Sequence, residues 1–450
     1  MRPGAARRGR SGVVPRKRAF RPHEDGRPFL CGPSAESYPG ASGGRAGSAR
    51  MDTSKPPEGG GLVVKTYEEI NERIRKGEAV VVTADEMTEI VKSEGARKAA
   101  RRVDVVTTGT FGPMCSSGAF INFGHSEPPI KMSRVWLNDV PVCADLAAVD
   151  AYIGATASSE TEGIAYGGAH VIQDLVEGKS IRLRASAYGT DCYPRKEIET
   201  LVSKDTVNQA YLFNPRNAYQ NYASATNGSQ RTIYTYMGVL LPNFGSVTYC
   251  SAGQMSPLLN DPLYRAVGVG TRIFLGGTAG YVAWQGTQHK GSVERSPGGT
   301  PVGPAASLAL IGDLKQMDSR FIRGARFHRY GVTLYVGVGI PIPVFDEEMA
   351  AFTGVADSEI ETSVFDYSQP TRAREPLRRV SYAELRSGSV RLGDRKVPTA
   401  PLSSYKVARQ IAANLKAWIR EGAFLLTAPV EPLPSGGVTL PLEIRTGEGE

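Results

Sequence analysis

Apolar positions recur along this chain with two different periods, and each change of period marks an element. From Thr66 they fall four apart, at Ile70 and Ile74. Glu68 and Glu69 come early and Gly77 closes the run, which predicts a short capped helix with an acidic first turn. Ala79–Thr83 is a continuous apolar run of strand length. A second helix is predicted from Thr83 or Asp85 to Lys92, with Met87, Ile90 and Val91 on its apolar face, and a second apolar run spans Val103–Thr108. Strand, helix and strand at this spacing predict parallel pairing in an α/β layer. Further strands are predicted over Val135–Val140, Ser180–Ala187, Val267–Leu275 and Tyr330–Ile340. The last should stop pairing at Pro341-Ile342-Pro343, because proline donates no ladder hydrogen bond. Val171–Val176 reads as an apolar helix or strand, and a helix is expected to begin near Pro194. Ser404 can cap a helix with Val407, Ile411, Leu415 and Trp418 on its apolar side.

Residues 210–256 break these periods. Tyrosines at 211, 219, 222, 234, 236 and 249 stand among Asn, Gly and Ser, which predicts loops and short strands around a substrate pocket. No repeat of solenoid length occurs. The expected fold class is α/β: one large mixed α/β domain over residues 63–440, with glycine-rich strand-end loops. It is flanked by a disordered basic tail and linker at 1–62 and a C-terminal tail at 441–450.

Charge changes the picture only by where it lies. The formal net charge is +8, but residues 1–50 hold 11 Lys/Arg against 3 Asp/Glu, leaving 42 basic and 42 acidic residues in the remainder. The part expected to fold is electrically balanced, so the basic total does not point to nucleic acid. The first segment lacks the apolar core of a secretory signal, and no run approaches the length of a membrane span. Five cysteines without a C-x-x-C pair fit neither a disulfide framework nor a zinc or iron–sulfur cassette. A cytoplasmic location is expected.

Two cysteines stand out by context. Cys115 lies in the glycine-rich turn Gly109–Gly118 after a predicted strand, with Ser116 and Ser117 as donors. Cys192 lies in Tyr188–Arg195, between the Ser180–Ala187 strand and the helix expected near Pro194. A helix N-terminus and Arg195 would both favour its thiolate, and Arg195 is also a candidate substrate-binding residue. A buried structural cysteine remains the equal alternative at this point. Neither turn is a phosphate-binding loop, and no G-x-G-x-x-G fingerprint occurs, so no cofactor is implied by motif. His125, His170, His289 and His328 form no i,i+4 pair, and no metal is expected. His170, after Gly167-Gly168, is the histidine to watch for substrate contact. Arg216 could pair with a substrate carboxylate through its two-pronged guanidinium.

The segments Lys65–Glu72 and Ala79–Met87, the run Thr108-Gly-Thr-Phe-Gly-Pro-Met-Cys115, and the run Gly189-Thr-Asp-Cys-Tyr-Pro-Arg195 together resemble the homocysteine biosynthesis family. The resemblance covers residues from about 64 to 440. It implies an enzyme that makes homocysteine from L-aspartate semialdehyde and sulfide or a persulfide donor. It implies Cys192 as the persulfide carrier and Cys115 as the redox or resolving partner. Reducing equivalents are then expected from an external donor, a small ferredoxin-like iron–sulfur protein, and a homo-oligomer is left open. Two rivals are weaker. An acyl- or CoA-transferase would place a carboxylate nucleophile in a glycine-rich turn, and neither cysteine turn supplies a glutamate. A non-catalytic sulfur- or amino-acid-binding protein would keep the cysteines as structural residues.

Overall fold

The computed structural model describes residues 64–371, 374–437 and 439–444. The expected N-terminal tail, with Cys31, and most of the expected C-terminal tail lie outside these residues.

The first elements follow the local chemistry closely. Thr66 caps the Tyr67–Arg75 helix in a full capping box with Glu69, and Thr83 does the same with Glu86 for the Ala84–Glu94 helix. Val81–Thr83 and Val105–Thr107 pair in parallel, as their spacing predicts. The prediction at the prolines is overturned: Pro341–Pro343 is itself a strand, antiparallel to Val105–Thr107. It is the edge of a three-stranded sheet, and the N–H of Val344 donates to the Asp104 carbonyl at 2.9 Å. The ladder therefore uses non-proline donors, and proline is tolerated on that edge.

A nine-stranded antiparallel sheet forms the body. Gly118–Asn122 lies between Asp150–Gly154 and Gln209–Asn217. The sheet continues through Leu308–Asp313, Thr278–Gln285 and Arg272–Leu275 to Gly331–Gly339 and Ile322–Phe327. Thr110–Pro113 pairs with Gly331–Gly339 from more than 200 residues away in sequence. The helix Gly168–Val176 buries Ala169, Val171, Ile172, Leu175 and Val176 between this sheet and a four-stranded one. That second sheet has the order Glu197–Val202, Ile181–Ser186, Arg134–Leu137, Val140–Val142. The C-terminal helix Tyr405–Arg420, capped by Ser404, buries Ile411, Leu415 and Ile419 against Ile70, Ile74, Phe111, Phe274 and Phe321. Its approach requires Gly109, where a Cβ would collide with the Ala408 carbonyl. A six-stranded sheet that includes Ser224–Thr226, Val247–Tyr249 and Arg395–Pro401 completes the fold. The observed class is mixed α/β, as expected.

The helix expected near Pro194 does not exist. Ala187–Lys196 is the connection of an antiparallel hairpin between Ile181–Ser186 and Glu197–Val202. Pro194 suits a turn as well as a helix start, and the chain here resumes strand pairing at once. No helix dipole therefore acts on Cys192.

Candidate active site

Cys115 sits on the turn between Thr110–Pro113 and Gly118–Asn122. The first strand is held by Gly331–Gly339 through the pairs Thr110 with Val338 and Pro113 with Tyr335, and Met114 N–H continues the ladder to the Leu334 carbonyl at 2.8 Å. The half-buried Cys115 thiol then meets the Thr333 hydroxyl at 3.3 Å.

The far side of the turn is clamped by Asn214, which is fully buried. Its Oδ1 accepts from Ser116 Oγ at 3.0 Å and from Arg216 N–H at 2.9 Å, and its amide donates to Ser117 Oγ at 2.7 Å. Ser116 Oγ also reaches the Arg216 carbonyl at 2.9 Å. The ladder shifts register between Asn214 and Asn217, and this irregularity places Arg216 beside the Cys115 turn. Arg216 hydrogen-bonds Gln288 through Nη1, while its buried Nε has no partner. Such a donor is an anion-binding feature, since a buried N–H of a cation is costly to leave unmatched.

Tyrosines from distant segments close around these groups. Tyr219 packs edge-on to Tyr222 at 4.9 Å, and Tyr236 does so with Tyr330 and Tyr367, its hydroxyl 3.1 Å from that of Tyr367. Burial pushes Tyr219 up to about 12; Arg216 opposes the rise, while Cys250 and Cys115 add to it. Tyr335 is pushed up to about 12 by burial, then by Cys250 and Cys115. Tyr222 and Tyr367 are raised too, by burial first. The hydroxyls of Tyr219, Tyr222, Tyr335 and Tyr367 are thus neutral donors at physiological pH. Guanidinium groups of Arg329 and Arg374 lie over the rings of Tyr234 and Tyr367, at 4.9 and 4.5 Å.

A second thiol lies beside the strand that leads into Cys115. Cys250, directly after Val247–Tyr249, lies 3.6 Å from Ser403 Oγ. A Cβ on Gly112, three residues before Cys115, would stand 3.6 Å from the Cys250 sulfur. Burial pushes Cys250 up to about 11; the Ser403 hydroxyl opposes this and the Cys115 charge adds to it. Sequence reasoning counted Cys250 and passed over it. The signal was present: Cys115-Ser-Ser-Gly118 and Cys250-Ser-Ala-Gly253 share one pattern at the end of a strand.

Cys192 occupies a separate place. Its exposed thiol lies 3.5 Å from Thr190 Oγ1, in a loop closed by paired backbone bonds between Thr190 and Tyr193. Tyr193 stacks on His125 at 6.0 Å, and His125 lines a cleft with Phe123, Ile130, Met132 and Thr200. Arg195 fixes the loop by donating to the carbonyls of Pro128 at 2.9 Å and Glu127 at 2.7 Å. Cys115 precedes the five-residue strand Gly118–Asn122 and His125 follows it. At about 3.4 Å per residue that strand separates the two regions by roughly 17 Å. A disulfide needs Cα atoms within about 7 Å. Of the residues singled out in the sequence, Cys115 and Arg216 come together, and Cys192 and Arg195 share a loop. His170 belongs to neither group. Its Nδ1 accepts from Gly167 N–H at 3.2 Å and its ring stacks on Tyr166. Among the described residues, no group of three His, Cys, Asp or Glu could hold a metal.

Comparison with known proteins gives consistent matches. Residues 79–426 match the family model described as homocysteine biosynthesis enzyme, sulfur-incorporation. A Methanosarcina acetivorans protein named L-aspartate semialdehyde sulfurtransferase is 53% identical over 376 residues, covering 84% of this chain and 73% of the relative. A Methanocaldococcus jannaschii protein of the same name is 53% identical over 387 residues, covering 83% and 74%. An uncharacterized protein of Methanothermobacter thermautotrophicus is 31% identical over 333 residues, covering 72% of each. No solved structure matches.

Proposed function

Since the chain belongs to the family of homocysteine biosynthesis enzymes that incorporate sulfur, we propose that it transfers sulfide-derived sulfur to L-aspartate semialdehyde, giving L-homocysteine. The observation that carries this reading is the 53% identity, over more than four-fifths of the chain, to two relatives of that name. With sulfur delivered as sulfane sulfur on a cysteine persulfide, the overall conversion takes an aldehyde, one sulfur atom, four electrons and four protons to a thiol and water.

The two cysteine regions divide the task. Cys192, exposed on a braced loop, is the persulfide carrier that a sulfur donor can reach. The Cys115 pocket takes the aldehyde. Arg216 pairs with the substrate carboxylate, and neutral tyrosine hydroxyls donate to the carbonyl oxygen as charge develops there. Arg195 serves by holding the Cys192 loop rather than by touching substrate. His170, with its Nδ1 used in capping, is not part of this reading. Electrons come from an external donor of the ferredoxin type, in the cytoplasm. Among the described residues no helix is long and apolar enough to cross a membrane. A homo-oligomer fits the aromatic sheet face on which exposed Phe120 pairs with exposed Tyr211, with Tyr281 two strands further on.

The test is homocysteine formation by the purified chain from L-aspartate semialdehyde, inorganic polysulfide as the sulfane-sulfur donor, and a low-potential reductant. Cys192→Ser is expected to lower the rate at least ~100-fold. Wild-type rates in that variant would remove the persulfide role.

A further inference from the structure

Cys115 needs a partner if it is to pass on a sulfur atom, and Cys192 lies at the other end of the Gly118–Asn122 strand. Cys250 lies beside the strand that leads into Cys115, its sulfur 3.6 Å from where a Cβ on Gly112 would stand. Three separate segments bring it there. Ser403 holds its sulfur from the start of the C-terminal helix. Gly112, on the strand that leads into Cys115, faces both groups: a Cβ at that position would collide with Ser403 Oγ and stand in van der Waals contact with the Cys250 sulfur. Tyr219 and Tyr335 lie close enough to both thiols to feel the charge of each.

We propose that Cys250 is the resolving thiol for Cys115. The inference rests on the sulfur-transfer reading and adds to it a residue which that reading does not use. When Cys115 carries a sulfane sulfur, taken up from a small inorganic polysulfide that enters the site, Cys250 attacks the Cys115 Sγ. The bond between Cys115 Sγ and the terminal sulfur breaks, and a bond between Cys115 and Cys250 forms. The terminal sulfur leaves as hydrosulfide and takes up the Cys250 proton. Cys115–S–SH and Cys250–SH thus become the Cys115–Cys250 disulfide and hydrogen sulfide. The sulfane sulfur gains the two electrons that the two cysteine sulfurs lose. Hydrogen sulfide is then released inside the tyrosine-lined pocket, next to the aldehyde it must attack. The external donor supplies two electrons that reduce the disulfide for the next turnover and two more that reduce the sulfide–aldehyde adduct to the thiol with loss of water.

The burial of Cys250 suits this order of events. Its thiol stays protonated and unreactive toward outside oxidants until sulfur arrives on Cys115.

The experiment uses the reduced full chain, treated with inorganic polysulfide without any reductant. It is then digested without reduction and read by mass spectrometry. Residues 103–131, 185–195 and 232–265 are separate tryptic peptides carrying Cys115, Cys192 and Cys250. The expected product joins the Cys115 and Cys250 peptides, with about one sulfide released per chain. In Cys250→Ser the joined peptide disappears and Cys115 keeps an added mass of about 32 Da, one sulfur atom. Cys250→Ala, with its melting temperature recorded beside the wild type, is expected to behave as the serine variant does. A Cys115–Cys192 link, or undiminished sulfide release in both Cys250 variants, would overturn the inference. If no cysteine gains sulfur at all, the sulfur-carrier reading fails instead.

Discussion

Asn214→Ala removes the side chain that ties the Cys115 turn to Arg216. Asn214 is fully buried and makes three hydrogen bonds, to Ser116 Oγ, Ser117 Oγ and Arg216 N–H. At about 1 kcal/mol each, their loss and the space left behind amount to ~3–4 kcal/mol of stability. The catalytic effect is separate. Ser116 would still reach the Arg216 carbonyl, but the turn would lose two of its three fixed points on that side. A displacement of about 1 Å between a reactive group and its substrate-positioning partner costs on the order of 100-fold in rate. Asn214→Asp keeps the acceptor for Ser116 and Arg216, so its activity should fall by less than about 10-fold. The assay is homocysteine formation at saturating and limiting aldehyde, beside thermal unfolding. If Asn214→Ala loses stability yet keeps wild-type kcat/KM, the clamp is structural only and the argument that the register shift builds the site is refuted.

Other outcomes follow from the same geometry. Arg216→Lys replaces the fork with a point charge and leaves no Nε, so KM for the aldehyde should rise about 10-fold or more with a smaller change in kcat; an unchanged KM contradicts carboxylate binding. Alkylation at pH 8 should label the exposed Cys192 fast and Cys250 slowly, because a thiol pushed up to about 11 is only ~0.1% thiolate there; equal rates would refute the burial argument. His170 is held below its ordinary value by burial, outweighing Asp174 and Glu162. The unfolded chain therefore binds the extra proton as pH falls through about 6.5, and stability should decline from pH 7 to 5. In His170→Gln that part of the pH dependence should vanish, and its persistence would assign it to other groups.

How much of this was legible depended on how local the cause was. Both capping boxes, the parallel pair Val81–Thr83 with Val105–Thr107, and the Ser404-capped helix rest on residues a few positions apart, and each was readable. Pro194 and Pro341–Pro343 misled because proline's effect depends on which edge or turn it occupies, a fact of tertiary pairing. The same applies to the site. Cys115 and Cys192 showed in their sequence runs, and the tyrosine-rich stretch was a sound pointer, since Tyr219, Tyr222 and Tyr236 all gather near Cys115. Tyr211 went instead to the exposed face of the large sheet and Tyr249 packs on Tyr382. Thr333 reaches Cys115, and Tyr335 and Cys250 reach the strand before it, only through pairings that span more than 100 residues, for which no local pattern exists.

The central claim is that sulfur passes through the protein on its way to the product. The direct measurement loads the reduced chain with isotopically heavy sulfane sulfur, removes all free sulfide, and then adds L-aspartate semialdehyde and reductant. The account predicts heavy homocysteine in about equal amount to the loaded protein, and none from Cys192→Ser. Homocysteine free of the heavy isotope, or formed only when sulfide is added back, would contradict it.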